Sequence, residues 1–153
     1  LTLTPGVYCF NSSAQLTGTL TLDAQGNSAA AFLFKTGSSL TTASNASVVL
    51  INGGSSCNVT WEIGSSATLG TGTVFAGNIL ALASITFNTG AQTSGRALAR
   101  TGAVTLDTST VSGCTGSVTS IPTLSGSGMV LLAALLALFG AAAVGRRARR
   151  SGR

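Results

Sequence analysis

Histidine is absent from this chain, and charged residues make up only 7% of its 153 positions. Without histidine, a serine or cysteine nucleophile lacks its usual base, and the scattered Asp23, Glu62 and Asp107 do not form the paired acid and base that hydrolysis needs. No enzyme and no cofactor is expected. Cysteine is also sparse. Cys9, Cys57 and Cys114 are too far apart for a zinc knuckle, so no metal is expected either. In an exported protein any two of them can bridge, which gives three pairings. Cys57 and Cys114 both sit in Ser/Gly-rich turns and are the preferred pair, with three unpaired small residues as the alternative.

Charge is scarce and unevenly placed. Residues 1 to 120 balance Lys35, Arg96 and Arg100 against Asp23, Glu62 and Asp107, and the net charge of +5 comes from Arg146, Arg147, Arg149, Arg150 and Arg153. Basicity therefore belongs to the tail. The rest of the chain carries no phosphate-binding footprint, and no nucleic-acid partner is expected.

What the chain has in quantity is Ser, Thr, Gly and small apolar residues, 44% of it hydrophobic, a composition that suits pleated strands rather than disorder. Five segments align on an apolar-x-apolar pair, starting at Val7, Ala31, Asn58, Ser84 and Ala103, at spacings of 24, 27, 26 and 19 residues. Those spacings suit an all-β, three-faced β-solenoid of stacked coils, preferred over a sandwich of hairpins because Asn52-Gly53 is nearly the only hairpin turn signal. In this alignment one inward column reads Tyr8, Phe32, Val59, Ile85, Val104. The other reads Phe10, Phe34, Trp61, Phe87, Leu106, so Trp61 is a rung of an aromatic stack whose indole N–H needs a partner. Gly37, Gly64 and Gly90 mark the first corner, where a positive φ is expected. A third apolar run covers Leu20 to Leu22, Val48 to Ile51, Val74 to Leu82 and Ala97 to Ala99. Lys35 and Glu62 are expected to pair across adjacent coils on the solvated first face.

The second face differs. It reads Ser13 to Gly18, Ser38 to Ala43, Ser65 to Gly70 and Ala91 to Gly95, with no charge. Short hydroxyls and methyls on a flat, rigid sheet make a regularly spaced surface of weak hydrogen bonders that can hold lattice-like water.

The whole chain reads as a solenoid domain over 1–115, a linker over 116–127, a hydrophobic transmembrane helix over 128–145 and a basic cytoplasmic tail over 146–153. No residue from Ile121 to Gly145 is charged, and the 18 residues of the proposed helix approach the length that spans a bilayer. Arginines following it mark the cytoplasmic side, which leaves residues 1 to 120 outside. With "IPTLSGSGM" before it, this end resembles the IPTL-type bacterial sorting signals, which implies a membrane-held tag and an exosortase-type processing enzyme as partner. Gly126 and Ser127 depart from the acidic residue and Trp usual in that motif. "LTLTPGVYCF" contains neither an initiator Met nor a signal peptide, so the chain is expected to be a fragment of an exported protein.

The run from "GTLTLDAQGN" through "SSATLGTGT" to "GRALARTGAVTLD" resembles the microbial ice-binding (antifreeze) family with a discontinuous β-solenoid. The resemblance implies a secreted or surface-held protein whose partner is an ice crystal surface. It also implies an N-terminal coil, a capping element and a long helix that are expected to be missing here, an exposed apolar third face, and a coil at Val104 that need not touch the one at Ile85. The family has no fixed ice-binding motif. The site is therefore assigned on residue chemistry to the uncharged column Thr17, Thr41, Thr68 and Ser94, with Leu16, Leu40, Ala67 and Thr93 beside it. The competing reading is a structural or adhesive cell-surface solenoid without ice affinity. Glycan binding would call for exposed aromatics, and the aromatics here fall mainly in inward columns.

Overall fold

The computed structural model describes residues 1–114. In chain order the strands are β1 (Thr2–Leu3), β2 (Gly6–Phe10), β3 (Ala14–Leu16), β4 (Thr19–Asp23), β5 (Phe32–Thr36), β6 (Leu40–Thr42), β7 (Ser47–Ile51), β8 (Val59–Ile63), β9 (Ala67–Leu69), β10 (Val74–Ala76), β11 (Asn78–Ala81), β12 (Ile85–Phe87), β13 (Gln92–Ser94), β14 (Ala97–Ala99), β15 (Val104–Leu106) and β16 (Thr110–Ser112). Successive strands step from sheet to sheet, so the chain winds as a solenoid around one core. The first sheet is β2-β5-β8-β11-β14, the second β3-β6-β9-β12-β15 and the third β1-β4-β7-β10-β13-β16. Every pairing is parallel.

Alternation builds the core. Each strand turns every second side chain inward, and the register stacks these into columns. On the first sheet Tyr8, Phe34 and Trp61 are register partners, with ring centroids 5.2 and 3.9 Å apart, and Phe75 from the third sheet closes against Trp61 at 4.8 Å. Phe34, Trp61 and Phe75 are buried and each adds about 2 kcal/mol of transfer free energy, while Tyr8 is half-buried at the end of the stack. Trp61 is buried, and its indole N–H donates to the Ala76 carbonyl at 3.0 Å, which meets the need foreseen for it.

The register departs from the sequence alignment in two ways. From β2 to β10 register partners are 26 to 28 residues apart, as from Ala14 to Leu40 to Ala67, whereas later pairs, as from Ala67 to Ile85 to Val104, and the first pair, Thr2 with Thr21, are 18 or 19 apart. The shortening moves Ile85, Phe87, Val104 and Leu106 to the second sheet, while Phe32, Val59, Phe34 and Trp61 are on the first. Secondly, Tyr8 pairs with Phe34, and Phe10 with Thr36, a two-residue shift. Ile79 and Ala97, assigned to the third apolar run, are on the first sheet, Ile79 beside Trp61 and Ala97 beside Ile79. Ile85 pairs directly with Val104, so their coils are neighbours.

Corners follow from backbone geometry. The turn from the second sheet to the third puts Gly18, Asn45, Gly72, Gly90 and Thr108 in the left-handed region, one per coil, with φ between 51° and 77°. Gly90 belongs to this corner. Gly37 and Gly64 are at the first corner for another reason: a Cβ on Gly37 would overlap the Asn11 carbonyl, and one on Gly64 the Gly37 carbonyl.

Among the described residues the helical content is one 3-10 turn, Ser56–Asn58, and no helix is long and apolar enough to cross a membrane. The segment 128–145 expected to span, its tail 146–153 and the "IPTL" stretch lie outside the described residues.

Candidate functional site

The outer side of the second sheet carries a column in which Gln15, Thr41, Thr68, Thr86 and Thr105 are successive register partners. Adjacent rows in a sheet stand about 4.8 Å apart, so five rows extend over roughly 19 Å. Threonine is β-branched and stiff at χ1, so the four threonines present hydroxyl and methyl with little entropy left to lose. Neighbouring hydroxyls bond along the column, Thr105 Oγ1 donating to Thr86 Oγ1 at 3.3 Å. Beside it, Ser13 and Ser39 share a hydrogen bond at 2.9 Å, and Ser66 Oγ accepts from the Ser84 amide at 3.3 Å. No member of these rows is ionisable. A formal charge adjoins them at Asp107, just past β15 at the corner, whose carboxylate accepts from Thr89 Oγ1. The face expected to be free of charge therefore ends on one carboxylate.

The structure brings together part of the column assigned from sequence. Thr41 and Thr68 are direct partners on the outer side. Thr17 follows β3 and is exposed, and its neighbour in the next coil is Ala43, so it stands one outward position away from the Thr41–Thr68 column. Leu16 pairs with Thr42, and Leu40 pairs with Ala67. All three of Leu16, Leu40 and Ala67 point inward, and Leu40 and Ala67 are buried. Thr93 and Ser94 are on the third sheet. Thr93 is buried, and Ser94 is half-buried, its hydroxyl 2.9 Å from that of Ser56. Thr86 and Thr105 were missed because their segments were aligned with the first face. The triplets Ala67-Thr68-Leu69, Ile85-Thr86-Phe87 and Val104-Thr105-Leu106, apolar-Thr-apolar at steps of 18 and 19, are the signal that finds them.

The outer side of the first sheet has different chemistry. Lys35 and Glu62 pair at 3.3 Å, both about half exposed, a contact worth at most about 1 kcal/mol. Around it runs an open groove of about 880 Å³ lined by Cys9, Phe10, Leu80, Leu82, Leu98 and Arg100. Exposed apolar side chains expected on the third face are thus concentrated here, although Val49, Ile51 and Val74 are exposed on the third sheet. Cys57 and Cys114 are joined by a disulfide with Cα atoms 5.1 Å apart, and Cys9 is free and exposed.

Comparison with known proteins matches residues 1–112 to the ice-binding-like family and residues 119–150 to the IPTL-CTERM motif. An ice-binding protein of Nostoc sp. (strain HG1) is 66% identical over 113 residues, 73% of this chain and 42% of that protein. Ice-binding protein 1 of Shewanella frigidimarina (strain NCIMB 400) is 42% identical over 113 residues, 72% of this chain and 13% of that protein. The chain thus spans less than half of either relative. Among solved structures, an ice-binding protein from an Antarctic biological consortium superposes with a TM-score of 0.73 at 45% identity, over 74% of this chain and 52% of the other. The domain of the Shewanella frigidimarina protein gives 0.74 at 39% identity, over 76% and 49%.

Proposed function

Because this chain belongs to the ice-binding-like family, we propose that it adsorbs to ice through the outer side of its second sheet. The observation that carries this reading is the uncharged column Gln15, Thr41, Thr68, Thr86 and Thr105, with Thr17 and the serine row beside it. Charged groups bind water strongly in their own geometry. Hydroxyls on a rigid repeat accept and donate single hydrogen bonds, and waters bridging such groups can take up their spacing. The methyls between them shed poorly held water on contact. The first sheet's outer side, with its ion pair and groove, offers neither repeat nor neutrality.

The IPTL-CTERM match supports the second half of the reading: the solenoid is exported, and the C-terminal segment holds it at the cell surface through a membrane-crossing stretch until an exosortase-type enzyme processes it. The domain boundaries 1–115, 116–127, 128–145 and 146–153 follow from the same reading.

The test is a double variant, Thr41→Lys with Thr68→Lys, against a control, Val49→Lys, which places the same charge on the exposed third sheet. The expected result is freezing-point hysteresis and recrystallisation inhibition in the parent chain and the control, and loss of both in the double variant, with circular dichroism unchanged in all three. Full activity in a folded double variant, or loss confined to Val49→Lys, assigns ice to another face.

A further inference from the structure

Whatever follows Cys114 in the chain is attached to the solenoid at two points: covalently at Cys114, and through the Cys57–Cys114 disulfide at Cys57, 57 residues earlier. We propose that this disulfide has a mechanical function, as a clamp that carries load from the C-terminal tether into the third coil and leaves the last two coils out of the load path. The inference rests on the reading that this segment tethers a solenoid held by ice.

Consider first the path without the bridge. Pulling on residue 114 loads β16, a three-residue strand that is exposed throughout and, among the described residues, is the end strand of its sheet, paired with β13 alone. Next in line are β15 and β14, each of three residues and each the end strand of its own sheet. Core positions of β15 and β16 are weakly covered: Leu106 is 50% exposed and Val111 38%. An element with short pairings on one side and few buried apolar contacts sits at the low end of local stability. It opens one hydrogen bond at a time, and Thr105 and then Thr86 leave the face with it.

With the bridge, the load passes to the turn Ser56–Asn58. That turn is hydrogen-bonded to three separate segments: Asn58 Nδ2 donates to the Ser28 carbonyl at 3.0 Å, Asn78 Nδ2 to the Cys57 carbonyl at 3.1 Å, and the Ser56 and Ser94 hydroxyls lie 2.9 Å apart. Immediately after it comes β8, paired along five residues with β5 and along four with β11, its Val59, Trp61 and Ile63 all buried. The strand that receives the force is therefore held on both sides and anchored by the aromatic stack. Thr68, Thr86 and Thr105 all lie within the closed loop, so three rows of the proposed ice face are shielded.

The experiment pulls the full chain in optical tweezers between Lys35, the lone lysine, with the α-amino group capped, and a handle on the tail after Cys114. Parent chain, Cys114→Ser and dithiothreitol-reduced parent are compared, each first shown folded by circular dichroism. The expected result is a single high-force event in the oxidised parent. The other two should give earlier, lower-force steps that release up to roughly 190 Å more chain, at about 3.4 Å per residue. If all three first give way at the same force, the last coils do not peel under load and the clamp is refuted. Freezing hysteresis of the untethered parent and Cys114→Ser is read in parallel, and equal values are expected. An inactive parent would overturn the ice reading while leaving the force result to stand by itself; activity lost only in Cys114→Ser would show that the bridge supports the face at rest and overturn a purely load-bearing role.

Discussion

Thr93 shows how little a single residue type says about direction. It is buried on the third sheet, in the inward column between Phe75 and Val111, and its Oγ1 has no hydrogen-bond partner. A buried hydroxyl without a partner costs about 1 to 3 kcal/mol. Thr93→Val, which removes the hydroxyl and keeps the shape, is expected to raise stability by about 1 kcal/mol, a rise in Tm of roughly 4 °C by calorimetry. Sequence placed Thr93 on the surface because threonine there and threonine inside look alike. Thr42 and Thr73 are also buried, but they solve the problem differently, sharing a hydrogen bond at 2.7 Å while Thr42 Oγ1 accepts from the Gly70 amide. The partner needed by Trp61 could be foreseen because indole has one donor and burial leaves it no choice.

At the scale of elements, strands and the pairing of Phe34 with Trp61 were legible and face assignment was not. Alternation with period two is the same on all three sheets, so an apolar-x-apolar pair says "strand" without saying which one. Only the distance between repeats fixes the face. That distance changes after β9, because the segments that lengthen the early coils, residues 24–31 and 52–58 between the third sheet and the first, have no counterpart in the later coils. There the chain passes from the third sheet to the first through Gly77 alone in one coil and through Gly95-Arg96 in the next. At Gly95 an added Cβ would overlap the Gly77 carbonyl oxygen of the coil below. Gly95→Ala must push two backbones apart and is expected to cost about 3 kcal/mol, measured as a shift in urea midpoint with unchanged m-value. The site was half legible for the same reason: Thr41 and Thr68 precede the change in coil length, and Thr86 and Thr105 follow it.

Taken as a whole, the solenoid is close to electrically silent, with three cations against three anions and no histidine, the side chain that ordinarily titrates between pH 5 and 8. Its acid limb has a definite origin. Asp23 accepts from the Asn52 side chain at 2.7 Å and from the Gln25 amide at 2.8 Å, and these bonds hold its carboxyl below the ordinary value of 3.8. A lowered pKa contributes stability that is present above the unfolded value and disappears as pH falls through the folded one. The chain is therefore expected to show a flat Tm from neutrality down to about pH 5 and a decline below about pH 4, with Asp23→Asn flattening part of that decline when melting is followed against pH. The shorter coils add a last consequence. Since 18 residues suffice to make a complete layer, an in-frame copy of one such stretch can be slipped into the stack without disturbing the bonds on either side. The breadth of the proposed ice face is then a quantity that gene duplication can raise one storey at a time.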